Sequence, residues 1–389
     1  MAATIADTGS DAALSRQLLD GIRAWVEIES HTADVVGVNR CMDACEAGWR
    51  AIGAAVTRIP GTHLPGVAGG GDHLLVDAPW NRAGANEPGV LILCHLDTVH
   101  PKGTIRDLPF RIDGDRAYGP GIYDMKGGAY LAFAAVRAIA SSGKASPLPV
   151  RVLYVADEEI GSPTSRVLIE QEGARARYAL VVEPARDGGK VVTARKGVAR
   201  FVLTAHGRPA HAGARHEQGR SAIVEMARQI GTIEAMTDYP SGLTFNFGQI
   251  RGGTADNVVP AFCEATLDMR VTSVAQGEAM VAKILARQPY NPDVQLVVTG
   301  GLNRPPYEMT KPGAALFEQA RRVAAPIGID LVGMATGGGS DGNFIADRVA
   351  TLDGLGVDGN GAHTMEEYLL ISSLVPRLKL LQGLIATLA

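Results

Sequence analysis

Cysteine is scarce in this chain. Its 389 residues include four, Cys41, Cys45, Cys94 and Cys263, and none forms a C-x-x-C pair. Cys41 and Cys45 are spaced as neighbours on one helix face. Four thiols in so long a chain fit a reducing compartment, with the cysteines buried or idle. Long apolar runs are also missing. No stretch reaches the ~18 apolar residues needed to span a bilayer. The opening MAATIADTGSDAALSRQ has neither a basic start nor an apolar run, which does not fit a signal peptide. The expectation is a cytoplasmic protein with no membrane partner. Nor is there an excess of positive charge: 37 Lys and Arg stand against 41 Asp and Glu, a net charge of −4. That balance gives no general electrostatic reason to bind nucleic acid or an anionic membrane. Internal repeats are absent, and low complexity is confined to glycine clusters at 69–71 and 337–339.

What remains is an ordinary globular composition, 46% hydrophobic and 20% charged. Single cores stop growing near about 250–300 residues, so a chain of this length points to two domains. Leu14, Leu18, Leu19, Ile22 and Val26 recur at helical spacing and predict a helix over 13–30. A second helix is expected over 39–53, and short strands over 54–59 and 73–77. The run VLILCHLDTV (90–99) is apolar throughout and turns polar at its end, which suits a strand buried on both faces. VRVLYVADEE (150–159) and ALVVEP (179–184) repeat that pattern, and the Ala-rich 128–142 reads as helix. Three such strands with helices between them predict a doubly wound α/β domain with a mixed, mostly parallel sheet. Sites in such sheets form at the carboxyl ends of the strands.

The pattern changes near residue 195. Residues 198–206 alternate like a strand with one wet face. A helix (219–235), strands near 243–251 and 262–271, a helix (275–288) and a strand (294–299) follow. That order is ferredoxin-like. The expected organisation is a catalytic domain over 1–194, an inserted α+β domain over 195–306, and a return to the catalytic domain over 307–389. The return carries a helix (312–327), a Gly-rich loop, a strand (349–352) and a closing helix (371–388).

The chemistry gathers at the strand ends. His95 and Asp97 are two apart, so their side chains lie on one side of a strand. A metal-binding histidine usually gives its other ring N–H to a carboxylate, and Asp97 suits that role. Asp124 lies in GPGIYDMKGG, between a glycine-rich turn and a helix start. Asp157, Glu158 and Glu159 crowd three carboxylates where a buried strand ends, and they repel unless cations or protons compensate. Glu183 precedes Pro184 at the third strand end, and His363 lies in GAHTMEEY. Each residue taken alone also suits a structural role: a capped turn, a surface acid, a hydrogen-bonded histidine. Together, two histidines and three carboxylates form a ligand set that suits Zn²⁺, Co²⁺ or Mn²⁺ better than copper or an iron–sulfur cluster.

HLDTV, GPGIYDMKGG, DEEIGS, the Glu-Pro at 183, GRPAHAG, TGGGSDGN and GAHTMEEY occur in that order. The set resembles the co-catalytic zinc family of carboxypeptidase G, aminoacylase, acetylornithine deacetylase and succinyl-diaminopimelate desuccinylase. The likeness runs from about residue 15 to the C-terminus, and KGTIRDLPFRIDGDRAYGPGIYDMKGG looks most like the carboxypeptidase G branch. The resemblance implies two zinc ions bridged by Asp124, with His95 and Glu183 completing one site and Glu159 and His363 the other. It makes Glu158 the general base and Asp97 the residue that orients His95, and it implies a cis peptide between Asp124 and Met125. It also makes His211 an oxyanion donor reaching a partner subunit, hence a homodimer joined through the inserted domains. Asn257 and Arg270 would hold the substrate, the arginine on a free α-carboxylate, which its planar fork suits. Gly338 and Gly339 lie in a loop whose backbone can approach substrate closely. A nucleotide loop is a poor reading of GGGSDG, because the lysine is missing.

The resemblance implies hydrolysis of an N-acyl amino acid or short peptide, releasing a C-terminal residue such as glutamate. Lys190 and Arg304 align loosely with residues that could receive its side chain. Arg195 and Lys196 depart from the folate-cleaving pattern and put glutamate specificity in doubt. The alternatives are a deacylase of the acetylornithine or desuccinylase type, an aminopeptidase on the same metal core, and a metal-binding scaffold without turnover. Arg270 counts against the aminopeptidase, and the pairing of Asp97 with Glu158 counts against the scaffold.

Overall fold

The strand Gly89–His95 is buried at every position because both of its faces are covered. Val90, Ile92 and Cys94 enter one core, shared with the helices Asp11–Val26, Val35–Ala51, Gly127–Ser141 and Leu374–Thr387. Leu91 and Leu93 enter a second core with Ile169, Phe344 and Ile345. The computed structural model describes residues 11–64, 66–67, 69–81 and 87–389. The first ten residues, on which part of the leader reading rests, lie outside the described residues. The described chain divides into two compact units: 11–193 with 309–335 and 340–389, and 194–308 with 336–339.

The first unit is built on a six-stranded mixed sheet. Its order is Ala55–Ile59, His73–Asp77, Val150–Val155, Gly89–His95, Ala176–Val181 and Ala350–Leu352. The last four run parallel, and the first two add on antiparallel. Period-two alternation sends successive residues to opposite cores, which is why the sequence shows unbroken apolar runs here. A doubly wound α/β unit with a mostly parallel sheet is therefore present, as the strand pattern predicts. A small second sheet of Arg111–Asp113, Arg116–Tyr118, Gly359–Asn360 and Tyr368–Leu370 has no counterpart in the sequence reading. Its strands are three residues or shorter, too brief to display a period.

All four cysteines are buried and unpaired. Near Cys41 and Cys45 on the helix Val35–Ala51, the fully buried Trp49 lies edge-on to Phe133 at 5.1 Å and donates to the Tyr154 hydroxyl at 3.2 Å. Trp49→Ala leaves a ring-sized hole and takes one donor from the Tyr154 hydroxyl, which keeps its bond to Ala129 O. It should cost about 3–5 kcal/mol, read as a lower urea midpoint with unchanged slope.

The second unit runs strand Gly197–His206, helix Ala222–Glu234, strands Thr244–Gly252 and Phe262–Val271, helix Val274–Leu285, strand Gln295–Arg304. Its antiparallel sheet has the order Thr244–Gly252, Phe262–Val271, Gly197–His206, Gln295–Arg304, the ferredoxin-like arrangement. Ala199, Phe201, Leu203 and Ala205 face its core at every second position. Ser221 and Ser273 cap the two helices, accepting from Val224 and Gln276 N–H. The loop Thr336–Gly339 belongs to this unit although it lies far along the chain. No helix among the described residues is long and apolar enough to cross a membrane.

Candidate metal centre

Parallel strands deliver their carboxyl ends to one edge of the sheet, and the site of the first unit lies there. His95 ends the strand Gly89–His95, Glu158 and Glu159 follow Val150–Val155, and Glu183 follows Ala176–Val181. Asp124 comes from the turn before the helix Gly127–Ser141, and the Asp124–Met125 peptide is cis. His363 adopts a left-handed backbone, φ 66°, which is uncommon for a residue with a side chain.

These residues form two clusters that share one carboxylate. His95, Asp124 and Glu183 offer ligand atoms within 4.8 Å of one another, and so do Asp124, Glu159 and His363. Asp124 Oδ1 lies 3.4 Å from His95 Nε2, and Oδ2 lies 3.4 Å from His363 Nε2. Glu183 is 3.7 Å from His95 Nε2, and Glu159 is 3.2 Å from His363 Nε2.

The donor chemistry fits divalent cations. His95 Nε2 and Glu159 Oε1 are buried with no hydrogen-bond partner among the described residues. A native fold rarely leaves such atoms orphaned unless something else meets them. Protonation tells the same story. Burial alone would raise Asp124, but the imidazoles of His363 and His95 facing it hold its carboxyl well below the ordinary range. Burial opposes a charge on His95, yet the nearby carboxylates of Asp124, Asp97 and Glu183 lift it well above its usual value. Hydrogen bonding to Asp124 and Glu159 raises His363 to about 11, and burial pushes Glu159 up to about 8. Protons on these groups supply the positive charge that cations would bring.

The support around the ligands differs in detail from the simple expectation. Asp97 Oδ1 lies 3.5 Å from His95 Nδ1, whereas the ring's 2.9 Å hydrogen bond goes to the Asp97 carbonyl. The Asp97 carboxylate accepts from the Thr32 hydroxyl and from Glu158 and Glu159 N–H. It thus ties the histidine strand to the turn carrying both glutamates. Asp157 faces away, accepting from Thr164 and from the Ser165 hydroxyl. Glu158 is half-buried and belongs to neither ligand cluster.

Sequence reasoning missed Glu367. It is fully buried and accepts three backbone N–H groups of the turn that ends in Asp124. The only signal was a second acid beside Glu366 in GAHTMEEY, indistinguishable from a surface pair. Lys190 pairs through its backbone with Arg186 in a tight turn of the first unit.

The other candidates lie in the second unit. His211 is exposed, and its Nδ1 accepts from Gly213 and Ala214 N–H. That leaves the ring proton on Nε2, turned into a donor. Asn257 adjoins it, its carbonyl accepting from Ala212 N–H. Arg270 grips Asp268 through two nitrogens and donates to Gly337 O. Arg304 is buried, with its Cδ 2.7 Å from where a Cβ on Gly339 would stand, so a side chain at 339 would displace the arginine. Arg195, only 2% exposed, donates to the carbonyls of Gly338 and Gly339, and Lys196 to Gly242 O. The two extra cations are committed to backbone carbonyls.

A metal-dependent hydrolase of amide bonds is the class that this fold and donor set define, and known proteins narrow it. The Peptidase family M20/M25/M40 pattern matches residues 91–387, and the chain belongs to that family. It is 32% identical to carboxypeptidase G2 of Pseudomonas sp. (strain RS-16) over 371 residues, 92% of this chain and 86% of that one. It is 25% identical to succinyl-diaminopimelate desuccinylase of Azoarcus sp. (strain BH72), covering 77% and 83% of the two chains. Its fold also matches a metallo-carboxypeptidase, Sso-CP2, from Sulfolobus solfataricus, with a TM-score of 0.74 and 16% identity over 95% and 98% of the chains.

Proposed function

We propose that this enzyme is a di-zinc carboxypeptidase that cleaves N-acyl amino acids or short peptides and releases a C-terminal residue such as glutamate. The observation that carries the reading is the pair of three-ligand clusters sharing Asp124. Two cations so held would acidify a water and polarise the scissile carbonyl. Glu158, half-buried and outside both clusters, takes the water's proton and returns it to the leaving amine. Asp97 holds Glu158 and Glu159 N–H, which keeps the base and the ligand in fixed relation. Arg270 and Asn257 hold the substrate's carboxylate end, with Gly338 and Gly339 giving the backbone room to approach. Lys190 and Arg304 meet an acidic side chain. The 32% identity to a carboxypeptidase over most of both chains favours this reading over a desuccinylase.

The test is a release screen on N-acyl-X substrates, scored by the product. Free glutamate supports the carboxypeptidase, whereas acetate or succinate supports the deacylase. A strong chelator should abolish turnover and Zn²⁺ should restore it. Activity that survives full metal removal rejects the mechanism.

His211 serves the site of the partner in a homodimer joined through the second units, donating from Nε2 to the developing oxyanion. A donor so placed is worth about 10²–10³ in rate. His211→Ala should lose that much kcat while keeping its zinc, measured by steady-state kinetics beside elemental analysis. Wild-type turnover in that variant rejects the role.

A further inference from the structure

Glu367 belongs to neither ligand cluster, yet it is fully buried. Its Oε1 accepts the N–H groups of Tyr123 at 2.8 Å and Asp124 at 2.9 Å. Its Oε2 accepts Gly121 N–H at 3.0 Å and the ring N–H of His100. Four donors converge on one carboxylate, and hydrogen bonds to an ionised acceptor are about twice as strong as neutral ones.

The segment so gripped is the turn that presents Asp124. Its backbone has little freedom of its own to hold that geometry. Gly121 is left-handed, φ 71°, and a Cβ there would stand 2.4 Å from Thr98 Cγ2. Asp124 and Met125 have non-helical dihedrals inside an otherwise helical turn. No ordinary helix or strand ladder among the described residues fixes them, and the Glu367 carboxylate stands where such a ladder would be. Glu367 also follows His363 closely in sequence, on the segment that leads into the strand Tyr368–Leu370. One stretch of sequence thus supplies a ligand of the second cluster and the anchor of the ligand common to both.

We infer that Glu367 is a positioning residue that sets the backbone of Asp124, so that the two cation sites form together. This rests on the reading that Asp124 serves both sites. Supporting residues behind metal ligands typically change metal affinity by about 10–100-fold.

The experiment titrates metal-stripped wild type, Glu367→Gln and Asp124→Ala with Zn²⁺ against a chromophoric chelator. Absorption spectra of the Co²⁺-loaded proteins and thermal unfolding of the metal-free proteins accompany it. Glu367→Gln is expected to weaken both sites by about 10–100-fold and to change the Co²⁺ spectrum. Two results overturn the inference: wild-type affinity and spectrum with only a lower unfolding temperature, or a loss confined to one site. Asp124→Ala separates the two readings. If it loses both ions while Glu367→Gln loses neither, the positioning role alone fails. If it keeps both ions, the shared-ligand reading fails and this one with it. Should Glu367→Gln not fold, Glu367→Asp keeps the charge one methylene short of its donors. It is expected to bind about tenfold more weakly, and wild-type affinity there overturns the inference.

Discussion

Asp124→Ala is expected to bind no metal stoichiometrically and to turn over no measurable substrate. Asp124 is the one residue common to both clusters, with one oxygen toward each histidine at 3.4 Å. Removing it leaves His95 with Glu183 on one side and Glu159 with His363 on the other. Two protein ligands fall short of the three that open catalytic zinc sites use. The loss of metal charge should remove several kcal/mol of transition-state stabilisation, about 10⁴-fold or more in rate. The fold should survive, because the sheet and both cores that surround it are apolar and do not pass through Asp124. Elemental analysis of the folded variant beside wild type is the measurement. Two ions retained, with activity lost, would mean that Asp124 acts otherwise than as a shared ligand.

Much of this centre was legible in the sequence because each part sits at a boundary that composition marks. An apolar run ending in His95, Glu159 or Glu183 signals a strand end, and strand ends of a parallel sheet lie on one edge. The second unit was legible for the opposite reason: its strands have one wet face, so their alternation is visible. What stayed hidden depends on contacts distant in sequence. Asp97 and Glu367 each hold backbone N–H groups, and nothing in a residue's own neighbourhood reveals which N–H it will meet. Arg195 read in the sequence as a departure that puts glutamate specificity in doubt, and its guanidinium is buried against the carbonyls of Gly338 and Gly339, more than a hundred residues on. The loop Thr336–Gly339 joins the second unit through such contacts, which no local pattern records. The three-residue strands of the small sheet were missed for lack of length alone.

Glu158→Gln is expected to lower kcat by about 10²–10⁴ while leaving both metals bound and KM within a few-fold of wild type. The neighbouring glutamates can divide the work because successive side chains at a strand end diverge. Their surroundings already differ. Glu159 is 3.2 Å from His363 and has a buried oxygen with no hydrogen-bond partner among the described residues. Glu158 stands half-buried outside both clusters, the arrangement that a general base needs. The amide of Glu158→Gln keeps the shape and polarity of the side chain and loses only the capacity to take a proton. A fall in kcat with intact zinc therefore isolates proton transfer, since uniform binding would appear in KM instead. Glu159→Gln supplies the contrast: it should lose metal first and activity as a consequence. If zinc is lost from Glu158→Gln and kept in Glu159→Gln, the two glutamates have exchanged roles. If both variants keep their zinc and Glu158→Gln turns over like wild type, the proton goes to another base, and Glu158 is a bystander at the strand end.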